Sequence, residues 1–263
     1  MNAYQITGLI GIVLALLVVF LVQKKTRLTR SHLVYLCLCA AAGVFVGGHI
    51  LFFIVGLPDF IKNEVPNIHS GAQLLDSLYY AASGMVFYGG LLCALLFMWI
   101  YIKIRRLPGR LYLNNMVIAF PIFHFMGRIG CAFTGCCYGI EYHGIGAIQY
   151  TQSQVTPGIN DHIVDFTRFP VQPMEALLEL IIFIVLLVLL LKKDDRFAVT
   201  PTYLLTYAVI RFLDEFLRGD ELRGFWGPFS TSQWISIAII VITVIYLLVK
   251  RAQFRKLQAS AIS

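Results

Sequence analysis

Apolar and polar positions alternate along the chain on the scale of whole helices. Seven long apolar stretches, approximately 3–22, 33–55, 76–101, 113–134, 173–191, 198–217 and 231–249, are separated by polar connections. Each approaches the roughly 20 residues that an α-helix needs to cross the hydrocarbon of a bilayer. No connection is suited to a separate soluble domain, and no internal repeat is present. The pattern predicts an all-α polytopic membrane protein, seven transmembrane helices in a single integral membrane domain spanning 1–263. The first stretch lacks a positive n-region and runs into Lys24-Lys25-Thr26-Arg27, so it reads as a retained helix rather than a cleaved signal peptide. The loop at about 135–172 is the expected place for a lid or a partly re-entrant segment.

Composition narrows the class. Hydrophobic residues make up 59% of the chain and charged residues 13%, against roughly half and a quarter in a soluble domain. That excludes soluble, disordered, collagen-like and disulfide-scaffold classes. The net charge of +7 does not imply nucleic acid, because the basic residues stand in short clusters between apolar runs. Fifteen of the 21 Lys and Arg fall on alternate connections, in the groups Lys24–Arg30, Lys103–Arg110, Lys192–Arg196 and Lys250–Lys256. Four lie on the opposite side: Lys62, Arg168, Arg218 and Arg223. The positive-inside rule then puts the N-terminus and the 135–172 loop outside and the C-terminus in the cytoplasm.

The two remaining arginines, Arg128 and Arg211, lie within apolar stretches. A mid-membrane arginine costs at least about 2.5–3.5 kcal/mol, which makes both functional-site candidates. Counted from the cytoplasmic ends of their stretches at about 1.5 Å per residue, both lie roughly 20–22 Å deep, in the outer half. Two guanidiniums at one level can converge on one anion; two snorkelling or structurally paired arginines would give the same pattern. Tyr207, Arg211 and Glu215 share one helical face at four-residue spacing, and Arg218 prolongs it. Glu175 and Glu179 repeat that spacing on the fifth stretch, preceded by Gln172.

Glycines mark two further segments. Gly84-Met85-Val86-Phe87-Tyr88-Gly89-Gly90 predicts close backbone approach inside the third helix, with the Tyr88 hydroxyl beside it. Gly127-Arg128-Ile129-Gly130-Cys131-Ala132-Phe133-Thr134-Gly135-Cys136-Cys137-Tyr138-Gly139 surrounds a buried arginine with glycines. The six cysteines contain no C-x-x-C pair, and adjacent Cys136 and Cys137 suit a compact metal site poorly, so no metal ligand is expected; the thiols read as small residues, with an outward-facing disulfide as the alternative. His49, after Gly47-Gly48, and His124, one turn before Arg128, read either as cavity walls or as satisfied core histidines.

On these residues the chain resembles the prolipoprotein diacylglyceryl transferases of bacteria, over nearly its whole length. Gly127 to Gly139 is similar to the family's glycine-arginine signature, with Arg128 on an essential arginine. Tyr207, Arg211, Glu215 and Arg218 match a late tyrosine, arginine, glutamate and arginine. Phe169-Pro170-Val171-Gln172 with Glu175 and Glu179 looks like the family's proline-glutamine-glutamate segment. The chain departs from the pattern at Tyr88, where a histidine usually precedes two glycines. It also departs at Cys131 and Cys136, where an asparagine and an acid are usual, at His49 for arginine and at Phe169 for histidine.

The resemblance implies a multi-pass enzyme of the bacterial cytoplasmic membrane. Such an enzyme transfers a diacylglyceryl group from phosphatidylglycerol to the lipobox cysteine of a prolipoprotein signal peptide, releasing glycerol phosphate, without metal or organic cofactor. Arg128, Arg211 and Tyr88 become the catalytic candidates. Tyr207, Glu215, Arg218, Gly89, Gly90, Gly139, Gln172, Glu175 and His49 become the substrate-binding candidates. The expected partners are phosphatidylglycerol, the signal peptide and membrane lipids. The alternatives are a divergent paralogue with another acceptor, or a non-catalytic lipid-binding or transport protein.

Overall fold

The computed structural model describes residues 3–155, 161–192, 199–220 and 224–262. Lys193 and Arg196 of the cytoplasmic group, and Arg223 of the opposite one, lie outside the described residues. Nine α-helices carry the described chain: α1 (Ala3–Thr26), α2 (Arg30–Asp59), α3 (Gly71–Ala82), α4 (Phe87–Ile104), α5 (Gly109–Val117), α6 (Ala119–Thr134), α7 (Val171–Leu191), α8 (Val199–Asp214) and α9 (Thr231–Ile262). A two-stranded antiparallel ribbon, β1 (Phe225–Trp226) and β2 (Phe229–Ser230), precedes α9.

Five helical segments are long and apolar enough to cross a membrane: Ala3–Thr26, Arg30–Pro58, Gly109–Thr134, Val171–Leu191 and Thr231–Gln253. The apolar stretch 76–101 is not one helix. It breaks between Ala82 and Phe87, where Val86 turns extended (φ −103°, ψ 121°) and its N–H donates to the Gly48 carbonyl at 3.1 Å. Gly84 faces the Phe52 ring so closely that a β-carbon would collide with it. An apolar pattern alone cannot register such a break, because both halves remain hydrophobic. The sixth stretch forms the 16-residue α8, about 24 Å long at 1.5 Å per residue.

The chain divides into two compact units, residues 1–26 with 113–263, and residues 27–112. In the first, α1 packs on α6, α6 on α7, α7 on α8 and α8 on α9. Gly130 admits the Thr7 hydroxyl and the Tyr4 backbone where a side chain would stand. A buried apolar cluster ties Val22 of α1, Val117, Ile118, Ile182, Leu186 and Leu190 to Val199 and Tyr203 of α8. The connection from α6 to α7 is a packed loop with its own small core of Tyr138, Tyr150, Val155 and Ile163, pinned by the bridges Gly139 to Arg218, Glu141 to Arg168 and Ile148 to Arg168.

In the second unit α2 lies along α4. Gly47 and Gly89 meet backbone to backbone, each leaving no room for a β-carbon against the other's carbonyl, and Gly90 sits on Val44. The first unit inverts a soluble protein's distribution. Large apolar side chains such as Leu17, Leu21, Leu177, Ile181, Ile242 and Leu248 are exposed, whereas Gln172, Glu175, Glu179, Asp214 and Glu215 are buried. Charged groups enclosed by helices whose outer faces are aliphatic suit a hydrocarbon solvent.

Candidate active site

The buried charges of the first unit form one connected cluster on α6, α7 and α8. Four-residue spacing puts His124 and Arg128 on one face of α6, and Glu175 and Glu179 on one face of α7. The two faces meet. Arg128 Nη2 lies 2.7 Å from Glu175 Oε1; His124 Nδ1 is hydrogen-bonded to Glu179 Oε1 at 2.8 Å, and its Nε2 lies 3.5 Å from Glu175 Oε1. The His124 ring is edge-on to Tyr207 of α8, 5.5 Å between centroids.

On α8, Arg211 Nη1 donates to Asp214 Oδ2 at 3.2 Å and Nη2 to Ser232 Oγ of α9 at 3.1 Å. The same Nη2 is ion-paired with Glu215 Oε2 at 2.9 Å. Asp214 stands within electrostatic reach of Glu175 and Arg128, as Tyr207 does of Glu175, Arg211 and Arg128. One continuous network therefore runs from Arg128 through Glu175 and Asp214 to Arg211 and Glu215. Its acids offset much of the cost of burying two cations.

Arg128 retains unused capacity: among the described residues its buried Nε has no hydrogen-bond partner. A buried guanidinium N–H left without an acceptor costs on the order of 1–3 kcal/mol, more for a charged group, so this donor is free to meet an anion.

Beyond Thr134, Gly135 caps α6 in the left-handed region (φ 63°, ψ 15°), and Cys137 also takes a positive φ of 54°. The chain thereby folds back under the helix end. The Sγ atoms of Cys131, Cys136 and Cys137 all lie within 4.8 Å of one another, a grouping that their spacing in sequence argued against. Spacing alone does not reveal the grouping, because it assumes ordinary backbone between neighbours. Arg218 and Arg128 stand within electrostatic reach of Cys137.

Gln172 locks this turn to the start of α7. Its Nε2 donates to the Cys136 carbonyl at 2.9 Å and to the Tyr150 hydroxyl at 2.8 Å. Gly139 abuts the Phe169 carbonyl, and Gly219 abuts Gly139 in turn, so three backbone segments meet where no side chain fits. Arg218 is held by Asp220 in a two-pronged pair, Nε at 2.9 Å and Nη2 at 2.6 Å.

The structure thus brings together Arg128, Glu175, Tyr207, Arg211 and Glu215. Gln172, Gly139 and Arg218 build the adjoining turn. Tyr88, His49, Gly89 and Gly90 belong to the other unit. There Tyr88 stands in the first turn of α4, the His49 ring is edge-on to Phe45 at 4.6 Å, and the two glycines serve the contact between α2 and α4. Sequence reasoning missed Asp214, Asp220 and Ser232. Asp214 had a signal, its i+3 spacing from Arg211; Ser232 had none, because only the packing of α9 on α8 brings it near.

The family model for prolipoprotein diacylglyceryl transferase matches residues 1–249. The chain belongs to that family. Relatives bearing the name phosphatidylglycerol–prolipoprotein diacylglyceryl transferase include a protein of Clostridium tetani, 28% identical over 94% of this chain and 91% of its own length. Another, from Leptospira interrogans, is 24% identical over 94% of this chain and 88% of its own. A third, from Hydrogenovibrio crunogenus, is 27% identical over 77% and 71%. A prolipoprotein diacylglyceryl transferase handles a phospholipid, and the buried arginine network is the feature of this chain suited to a phosphate.

Proposed function

We propose that the protein is a phosphatidylglycerol–prolipoprotein diacylglyceryl transferase of the bacterial cytoplasmic membrane, with seven spans, the N-terminus outside and the C-terminus in the cytoplasm. The observation that carries this reading is the buried Arg128, its Nε unpartnered among the described residues, linked through Glu175 and Asp214 to Arg211. Arg128 and Arg211 bind the donor phosphodiester. Attack by the acceptor cysteine sulfur forms a carbon–sulfur bond and breaks the glyceryl carbon–oxygen bond, leaving glycerol phosphate with an added negative charge. Guanidiniums already fixed by carboxylates stabilise that charge without reorganising, the usual source of such catalysis.

Glu175 and Glu215 orient the two arginines, and Tyr207 lines the network. The acceptor thiol must lose its proton to become nucleophilic; Tyr88, by its position in the family pattern, is the candidate base. Gln172, Gly139 and Arg218 shape the headgroup side, while Gly89, Gly90 and His49 are assigned to lipid or peptide contact. A transporter would need a polar path onward through the bundle. Past Glu179, however, the buried residues of α7 are Ile182, Leu186 and Leu190, within the apolar cluster that joins α1, α5 and α8.

The direct test incubates the purified full chain in detergent with phosphatidylglycerol and a lipobox peptide. The expected product is a thioether-linked diacylglyceryl peptide, identified by intact mass and by resistance of the linkage to hydroxylamine. No modified peptide from a folded, lipid-saturated preparation would defeat the proposal.

A further inference from the structure

Cys131, Cys136 and Cys137 form a cluster to which the proposed transfer reaction assigns no task. Their sulfurs lie within 4.8 Å of one another. Three thiolates around one d10 cation, with metal–sulfur bonds of about 2.3 Å, stand about 4 Å apart in a trigonal or tetrahedral site. Closing the present cluster to that spacing requires only small rotations of side chains. All three thiols are free.

The backbone that carries them is fixed on both sides of the turn. Gln172 Nε2 holds the Cys136 carbonyl at 2.9 Å, and the Gly219 N–H holds the Tyr138 carbonyl at 2.9 Å. Between these anchors Cys137 occupies the left-handed region without being glycine. Such a conformation is strained for a residue with a side chain and persists where surrounding structure enforces it, as at ligand clamps. Here its effect is to turn two consecutive cysteines toward a third, one helical turn back on α6. Arg128 and Arg218 stand within electrostatic reach of Cys137, so two guanidiniums face the anionic complex that a metal and three thiolates would form.

We propose that Cys131, Cys136 and Cys137 are the ligands of a thiophilic d10 cation, Cu(I) or Zn(II). Binding exchanges three thiol protons for three metal–sulfur bonds, with no change of oxidation state. The Cu(I) complex carries two negative charges and the Zn(II) complex one, facing two guanidiniums. Three donors complete a trigonal Cu(I) site, whereas Zn(II) takes a fourth ligand such as water.

The test uses the full chain in detergent under anaerobic, reducing conditions. It is offered either Cu(I) from a competing chelator or zinc sulfate, then desalted and assayed for metal by elemental mass spectrometry. Retention of about one equivalent per chain is expected, with the retained element naming the cation. Cys131→Ser, Cys136→Ser and Cys137→Ser should each abolish it, while Cys93→Ser should not. A second readout needs no variant: bound metal should protect these three thiols from alkylation and leave the reactivity of Cys37, Cys39 and Cys93 unchanged. Metal retention no higher than in the triple serine variant, or alkylation of the three unaffected by metal, would overturn the proposal.

Discussion

Arg128 on α6 and Glu175 on α7 are joined at 2.7 Å, and both are buried. The ion pair crosses a helix interface within the membrane-suited part of the fold, and Glu175 is the carboxylate joined to Arg128 there, so removing Glu175 strands a buried guanidinium charge. Breaking such a pair typically costs about 3–5 kcal/mol. Yet Arg128 gives Glu175 only part of its hydrogen-bonding capacity, and the remainder is what an anionic headgroup can use.

Arg128 and Arg211 should each be indispensable to lipid transfer. Replacement by Ala should lower the rate of lipobox-peptide modification by on the order of a hundredfold or more, the usual consequence of removing a donor to a developing oxyanion. Arg→Lys should fail nearly as badly, because the ammonium loses the planar two-pronged geometry. Arg223→Ala, at a position outside the described residues, should retain turnover. Near-normal turnover by both alanine variants, normalised to folded protein, would reduce the pair to a structural ion network.

Gln172 should matter through folding of the turn. Gln172→Ala leaves the Cys136 carbonyl and the Tyr150 hydroxyl without their donor, in a place sealed from solvent. The expected loss is about 1–3 kcal/mol of stability, read as a lowered thermal midpoint in detergent. An unchanged midpoint would mean that the turn is held without it.

The loop after α6 should respond to alkaline pH through Tyr150. Burial pushes its phenol up to about 12, against the opposing hydrogen bond from Gln172. A raised acid pKa means that the folded state keeps its proton longer than the unfolded state. Tyr150 therefore adds no pH dependence below about pH 10, and its contribution is lost as pH rises toward 12. Tyr150→Phe should flatten that part of the stability profile relative to the parent; identical slopes would remove the claim.

Orientation is testable at Gln152, exposed on the same loop. With Cys introduced there in a background lacking the reactive native thiols, an impermeant maleimide should label intact cells, since the Lys and Arg distribution puts this loop outside. Labelling only after the membrane is disrupted would reverse the assignment.

Much of the site was legible in the sequence wherever its partners lie on one helix. Arg211 and Glu215 follow from four-residue spacing alone, and intramembrane arginines announce themselves by cost. Arg128 with Glu175 crosses two helices, and similar depth in the membrane suggests that acids of the fifth stretch pair with the buried arginines without saying which meets which. The His124 to Glu179 bond, the Ser232 contact and the thiol cluster depend on packing or on left-handed backbone, which residue types do not encode locally. The break before α4 was hidden for the opposite reason: hydrophobicity continues through it while the backbone hydrogen bonds change direction.

Gly47 and Gly89 occupy each other's missing side-chain space, and this reciprocity has an evolutionary consequence. Relieving a clash normally takes a smaller residue opposite, but here the opposing residue is already the smallest available. A first substitution at either position therefore has no compensating partner, and a double substitution has no viable intermediate. Drift elsewhere on α2 and α4 can exchange one aliphatic side chain for another. At this crossing, descent is confined to lineages in which both glycines survive together, unless the helices themselves move apart.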